Sequence, residues 1–123
     1  DALRRLVEVV VRHREFDVQF LQTKWFGEEV LWLSPEPDLP FRRLTNTLTA
    51  TFPETPPYGG AILNPTPHLT VADGASFHDM RHAESVVIKQ LPVRASFSSV
   101  SVMVGAPKTN SWITFADIPL SKE

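Results

Sequence analysis

Three segments of the chain place apolar residues at the spacing of one helix face. The first spans residues 2–14, and Asp1 is available as its N-cap. The second carries Pro40 in its first turn, where the missing amide has no helical partner to lose. The third follows Ser76, which pairs with Asp79 in a capping-box pattern, and it runs to about Leu91. The three apolar stripes are Leu3, Leu6, Val7 and Val10; Phe41, Leu44, Leu48 and Phe52; and Met80, Ala83, Val87 and Leu91.

Other segments alternate apolar and polar residues, which is typical of half-buried strands. Residues 16–20 alternate in this way, and residues 29–33 are predicted to be their hairpin partner. A third strand is predicted over residues 68–72. Two further strands are predicted over residues 95–104 and 111–118, joined by a turn at residues 105–110.

The order of these elements predicts an α+β fold. Hairpins that alternate with isolated helices favour mostly antiparallel sheets with helices packed against them. The proline-rich segment at residues 55–60 cannot be a helix or a central strand, and it is predicted to be an ordered loop because proline fixes φ. No composition shift marks a domain boundary, so we expect residues 1–123 to form one domain.

Composition and charge narrow the function classes. The chain has 123 residues, of which 42% are hydrophobic, so it can bury a core and is not a disordered protein. Twelve Lys and Arg residues against 14 Asp and Glu give a net charge of −2, which is too even to indicate a basic nucleic-acid-binding surface, so we expect no DNA partner. A small nucleotide substrate stays possible, because a local site needs only a few donors. No apolar stretch is long enough for a membrane span, so we expect no membrane partner.

The absence of cysteine excludes disulfides, cysteine zinc sites and thiol nucleophiles, and it mildly favours a reducing, cytoplasmic setting. The chain opens with Asp1 rather than Met and enters an amphipathic helix without a signal peptide. We therefore expect a processed, trimmed or partly observed product.

Three of the four histidines are expected to be surface residues. His13 lies near the end of the first helix between two arginines, where its charge suits a helix C-terminus. His78 and His82 are four residues apart and project from one helix face, a spacing that can bind zinc. No third ligand is evident in the sequence, so we expect no metal site there.

His68 is the candidate for chemistry. It lies on a predicted strand directly after Pro67, and Thr70 points to the same face because strand side chains alternate. An imidazole and a hydroxyl on one rigid strand can hold a phosphate, and the imidazole can move a proton near neutral pH. From spacing alone, a structural histidine remains the more common interpretation.

The segment Pro-His-Leu-Thr-Val at residues 67–71 resembles the His-x-Thr-x signature of the 2H phosphoesterase superfamily, which includes the 2′-5′ RNA ligase-like proteins. Pro-Pro-Tyr-Gly-Gly at residues 56–60 is similar to the same family, in particular to a bacterial branch of it. The likeness covers nearly the whole chain in order. It continues in residues 16–18, 25–33, 35–37, 40–45, 52–53, 91–94 and 112–120.

The resemblance implies a two-lobed α+β fold in which each lobe gives one His-x-Thr-x strand. The two histidines then act as general acid and base, and the threonines hold phosphate oxygens. It implies hydrolysis or ligation of 2′-5′ linked or 2′,3′-cyclic phosphodiesters of a small nucleotide or an RNA end, without cofactor or metal. It makes His68 and Thr70 catalytic residues. Tyr58, Gly59 and Gly60 can lend a phenol or backbone amides to the substrate, because glycines allow close backbone approach, and the alternative for this segment is a plain turn.

This chain departs from the pattern because it holds a single His-x-Thr. We expect the first-motif strand to be missing from it, ahead of Asp1. The alternatives are a non-catalytic relative that binds a nucleotide or RNA end, and a structural or interaction module. The strand of His68 would then present an open edge, so we expect either a homodimer through that edge or a site open to solvent.

For several other polar and aromatic residues, a structural or solvent-exposed role is an alternative to a role in ligand binding. Arg42 and Arg43 can meet phosphate, but a solvated helix face is the default. The aromatic residues of the first hairpin can stack on a base, but core packing is more common. Asp73 either orients His68 or caps the next turn. The aromatic residues in question are Trp25, Phe26 and Trp32.

Overall fold

The computed structural model describes residues 1–60, 62, 64–106 and 111–122. Within these parts of the chain the elements alternate as an α+β fold, as the sequence predicts. In chain order they are α1 (Ala2–Val10), β1 (Phe16–Phe26), β2 (Val30–Glu36), α2 (Leu39–Thr51), a 3₁₀ turn (Pro57–Gly60), β3 (Leu69–Asp73), α3 (Phe77–Ile88), β4 (Val93–Phe97), β5 (Ser99–Val104) and β6 (Ile113–Pro119).

The main sheet is antiparallel and has the strand order β3-β2-β1-β4. Strand β2 tolerates Pro35 because β3 pairs only with Val30–Leu33, so no ladder bond to β3 is lost at the proline. β3 lies at one edge of this sheet, and no described strand pairs with its outer side. The strand of His68 therefore has an open edge in the described part of the chain.

A second, two-stranded sheet consists of β5 and β6. The prediction of one strand over residues 95–104 is wrong, because β4 ends at Phe97 and β5 begins at Ser99 in the other sheet. The carbonyl of Ser98 accepts a hydrogen bond of 2.9 Å from the Leu120 amide, which is where the chain leaves the first ladder. The predicted turn at residues 105–110 falls largely on residues 107–110, outside the described residues.

The glycine at position 105 is required by the close approach of the two arms of this hairpin. A Cβ there would lie 2.6 Å from the Ser111 carbonyl oxygen and 2.7 Å from the Trp112 Cα. Both atoms belong to backbone, which cannot rotate away as a side chain does. The position therefore excludes every larger residue without a shift of the hairpin.

Two buried clusters hold the layers together. One contains Val10, Ile118 and Leu120, and the other contains Val18, Phe20 and Leu33. Helix α2 contacts both, with Leu44 and Leu48 on the first and Phe41 on the second. The predicted inward face of α2 is thus confirmed for these three residues, whereas Phe52, the fourth of the predicted stripe, lies just beyond the end of the helix. The helix joins the two sheets.

Helices α1 and α3 both end earlier than the sequence predicts. Helix α1 ends at Val10 because the following backbone pairs with the C-terminal segment: Glu15 N–H donates to Ser121 O and Ser121 N–H donates to His13 O, both at 2.8 Å. Helix α3 begins as predicted, with the Ser76 hydroxyl accepting from Asp79 N–H at 3.1 Å, but it ends at Ile88. None of the described helices has the length and apolar character that a membrane span requires.

Candidate functional site

His68 lies one residue before β3, at the open edge of the main sheet, and its side chain is exposed. Thr70, on the strand itself, is exposed as well. Pro65 and Pro67 precede the histidine and restrict the backbone that carries it. The strand predicted over residues 68–72 is shifted by one residue, so that His68 directly precedes β3 and is not part of it.

One hydrogen bond decides the tautomer of the His68 ring. The Nδ1 atom lies 2.7 Å from the carbonyl oxygen of Thr66. A carbonyl oxygen can only accept, so Nδ1 carries the hydrogen and donates it. In the neutral ring Nε2 is then left with its lone pair, which is the state a general base needs.

Two aromatic rings fix the orientation of the imidazole. The ring of Phe26 meets it edge-to-face at 5.2 Å, and the ring of Trp32 meets it at 5.9 Å. Phe26 and Trp32 stack on each other at 4.6 Å. Trp32 is only 5% exposed, and among the described residues its Nε1 has no hydrogen-bond partner. Trp32 thus packs in the core and supports His68, while Phe26 remains partly exposed beside it.

A cavity of about 350 Å³ joins His68 to other candidate residues. Its lining includes Thr70, Asp73, Tyr58 and Phe26. Asp73 reaches this face because β3 has a bulge at Val71: Thr70 lies opposite Trp32 and Asp73 opposite Val30, on one face of the sheet. Strict alternation along the strand would instead have placed Ala72 on the face of Thr70. The cavity combines an imidazole, a hydroxyl, a phenol and a carboxylate.

In the described part of the chain no hydrogen bond joins Asp73 to His68, and the Nδ1 atom of His68 is engaged by the Thr66 carbonyl. The carboxylate lines the cavity together with Thr70. A carboxylate accepts hydrogen bonds, so it suits a ligand group that donates one.

The segment predicted as a loop at residues 55–60 forms a 3₁₀ turn over Pro57–Gly60. Tyr58, which is 60% exposed, has a φ of +55°, a left-handed conformation that is uncommon for a residue with a side chain. Its side chain lines the cavity of His68. Gly59 lies in the same turn, and Gly60 closes it with a φ of +85°, which glycine adopts without strain.

His68 also borders a larger apolar groove of about 490 Å³. Helix α2 contributes Phe41 and Leu48 to it, and β4 contributes Ala95 and Phe97. This groove and the cavity of Thr70 have Pro65, Thr66 and His68 in common. The histidine therefore lies between the apolar groove and the cavity that contains the polar side chains of Thr70 and Asp73.

The remaining histidines lie apart from this site. His13 is half-buried and its Nε2 lies 3.1 Å from the Thr47 hydroxyl, so it joins the segment after α1 to α2 and is not the solvated helix-end residue that the sequence suggests. His78 and His82 are exposed on α3. Among the described residues, no group of three or more His, Asp or Glu side chains is arranged to hold a metal ion.

Sequence reasoning missed the role of Glu84. Its Oε2 accepts hydrogen bonds from Thr23 Oγ1 at 2.8 Å and from Trp25 Nε1 at 2.9 Å, so it ties α3 to β1. Arg81 lies 3.5 Å from the other oxygen. These partners are about 60 residues away in the sequence, and no local pattern relates them. Trp25 is thereby assigned to structure rather than to base stacking.

Comparison of the chain with known proteins tests the family resemblance of residues 67–71. No curated protein matches the chain. A family model described as the 2′-5′ RNA ligase superfamily matches residues 1–108, which is most of the chain and includes the site around His68. The chain therefore belongs to the 2′-5′ RNA ligase superfamily, in agreement with the resemblance that its motifs carry.

Proposed function

We propose that the protein is a 2H-type phosphoesterase that acts on 2′-5′ linked or 2′,3′-cyclic phosphodiesters of a small nucleotide or an RNA end. The observation that carries the proposal is the geometry of His68. Its Nδ1 is engaged by Thr66, its Nε2 is available, and Thr70 lines the same cavity. Membership of the 2′-5′ RNA ligase superfamily supports this chemistry.

In the proposed reaction water attacks the phosphorus and the ester P–O bond breaks. His68 Nε2 accepts the proton of the attacking water, and the leaving ribose oxygen takes a proton from a second titrating group. The family resemblance expects that group on a first His-x-Thr-x motif, which this sequence does not contain. Thr70 donates a hydrogen bond to a phosphate oxygen, whose charge grows during the attack.

The other cavity residues would hold the substrate. The Tyr58 phenol can donate to a phosphate or ribose oxygen, and Gly59 and Gly60 allow a ligand to approach their backbone closely. Phe26, which is 39% exposed, offers a face for a base. These roles need neither a cofactor nor a metal ion.

The proposal is tested on the complete protein, including the first His-x-Thr-x motif that the resemblance implies, by hydrolysis of a 2′,3′-cyclic nucleotide in the presence and absence of EDTA. We expect turnover that the chelator leaves unchanged, because the proposed proton transfers use side chains alone. Loss of activity with EDTA, restored by one divalent metal, would instead move the site to His78 and His82. Tight binding of the nucleotide without turnover would support the alternative, a nucleotide or RNA-end binding protein.

We also propose that the open edge of β3 pairs with β3 of a second copy. The edge carries unpaired backbone groups in the described structure, and such edges recruit strands. Sedimentation equilibrium over a range of concentrations should then show a monomer–dimer equilibrium. A proline at Val71 should weaken the dimer, whereas a mass that remains monomeric at all concentrations would contradict this proposal.

A further inference from the structure

A cluster of arginines lines a second depression, of about 350 Å³, between the end of α1 and the start of α2. Arg12 and Arg14 come from the segment after α1, and Arg43 comes from α2. All three side chains are exposed. The lining contains one carboxylate, that of Glu15, so positive charge is in excess even when His13 is neutral.

These three arginines differ from most others in the chain, because no described residue pairs with them. The other arginines near helices have partners: Arg42 lies 3.0 Å from Asp38, Arg81 lies 3.5 Å from Glu84, and Arg5 donates to Thr51 O. Of the described arginines, only Arg94 also lacks a hydrogen bond, ion pair or ring contact, and it lies in a different depression. The unpaired guanidinium groups thus converge on one place.

The backbone beneath the cluster is held in position. His13 O and Glu15 N–H both bond to Ser121, at 2.8 Å each, and the ring of His13 reaches Thr47 on α2. The segment that carries Arg12 and Arg14 is therefore fixed to the C-terminal segment and to α2 at once. Three guanidinium groups presented from a fixed backbone can bind a phosphate group with several charge-assisted hydrogen bonds.

The helix ends that border this depression do not oppose the binding of an anion there. Pro40, in the first turn of α2, lines the depression, and the positive end of this helix dipole lies there. Asp38, which precedes α2, is engaged by Arg42. The last carbonyls of α1 accept from the amides of Val11 and His13, at 3.1 Å and 3.0 Å. Glu15 is then the one acidic side chain facing the ligand.

We propose that Arg12, Arg14 and Arg43 form a binding site for a phosphate group, separate from the cavity of His68. The ligand is either a free polyphosphate or a phosphodiester of an RNA strand, since both present the same oxygen chemistry. The site does not depend on His68 and does not require that the protein hydrolyse anything.

The experiment uses two probes, pyrophosphate and a short single-stranded RNA, with binding measured by calorimetry at several salt concentrations. Replacing Arg12, Arg14 or Arg43 singly with Gln should weaken pyrophosphate binding by about threefold to tenfold, and the triple variant should weaken it further. If RNA occupies the site, the slope of log K against log salt should fall by about 0.7 for each arginine removed.

Arg94→Gln is the matched control, because it removes the same charge from an arginine that is also unpaired but lies elsewhere. Its binding should stay within about twofold of the parent. Weakening of both probes by the triple variant supports a site for phosphate of any origin, and weakening of RNA binding alone assigns it to RNA phosphates. Binding that the triple variant leaves unchanged, or that Arg94→Gln reduces equally, would overturn the proposal, and so would no binding of either probe.

Discussion

Replacing His68 with Ala should lower the rate of hydrolysis of a 2′,3′-cyclic nucleotide by about 10²–10⁴-fold, measured in the full protein under saturating substrate. This is the usual loss when one positioned acid or base is removed. The substitution should not unfold the protein, because the His68 side chain is exposed and its hydrogen bond to Thr66 is local. The melting temperature should therefore change by only a few degrees, roughly what surface substitutions cause.

His78→Ala is the matched control for this prediction. His78 is exposed like His68, but it lies on α3 and does not line the cavity of Thr70. Its replacement should leave the rate unchanged. An equal loss of activity in both variants, or an unchanged rate in His68→Ala, would remove His68 from the mechanism.

Leu31→Ala should lower the free energy of unfolding by about 2–5 kcal/mol, the cost of a large-to-small change in a packed core. The Leu31 side chain is completely buried, and its strand, β2, is flanked by β1 and β3. Urea unfolding with an unchanged slope would measure the effect. Because β2 pairs with the strand that follows His68, the same variant should also lose activity at temperatures where it begins to unfold.

Leu21→Ala makes the same chemical change at a position that is 48% exposed. Since less apolar surface leaves a packed environment, its unfolding free energy should fall by less than about 1 kcal/mol. Equal losses in the two leucine variants would contradict the assignment of Leu31 to the core and of Leu21 to the surface.

Much of the local structure could be predicted from the sequence. The alternation of Val18 and Phe20 with polar neighbours predicted β1, and both side chains are buried. The apolar stripe of α2 and the Ser76 cap of α3 depend only on residues a few positions apart. Helical periodicity and capping depend on residues within a few positions of each other, so they can be identified from the sequence alone.

The candidate site was partly predictable. The pattern Pro-His-Leu-Thr-Val indicated His68 and Thr70, and Tyr58 came from the resemblance of its glycine-rich segment. That Asp73 lines the same cavity was not predictable, because it follows from a bulge in the pairing of β3 with β2. A bulge is a property of two paired strands, and neither sequence alone reports it.

Tertiary structure alone decided the features that join distant residues. The chain from 95 to 104 has continuous strand character, yet it breaks at Ser98 because the Leu120 amide binds there. Glu84 ties α3 to β1 through partners that no local pattern in the sequence relates to it. Arg12, Arg14 and Arg43 meet because the segment after α1 pairs with Ser121 while α2 packs alongside. The sequence by itself determined the side-chain chemistry and the local periodicity. Which distant groups come into contact depends on how the sheets and helices pack, and no spacing along the chain predicts this packing.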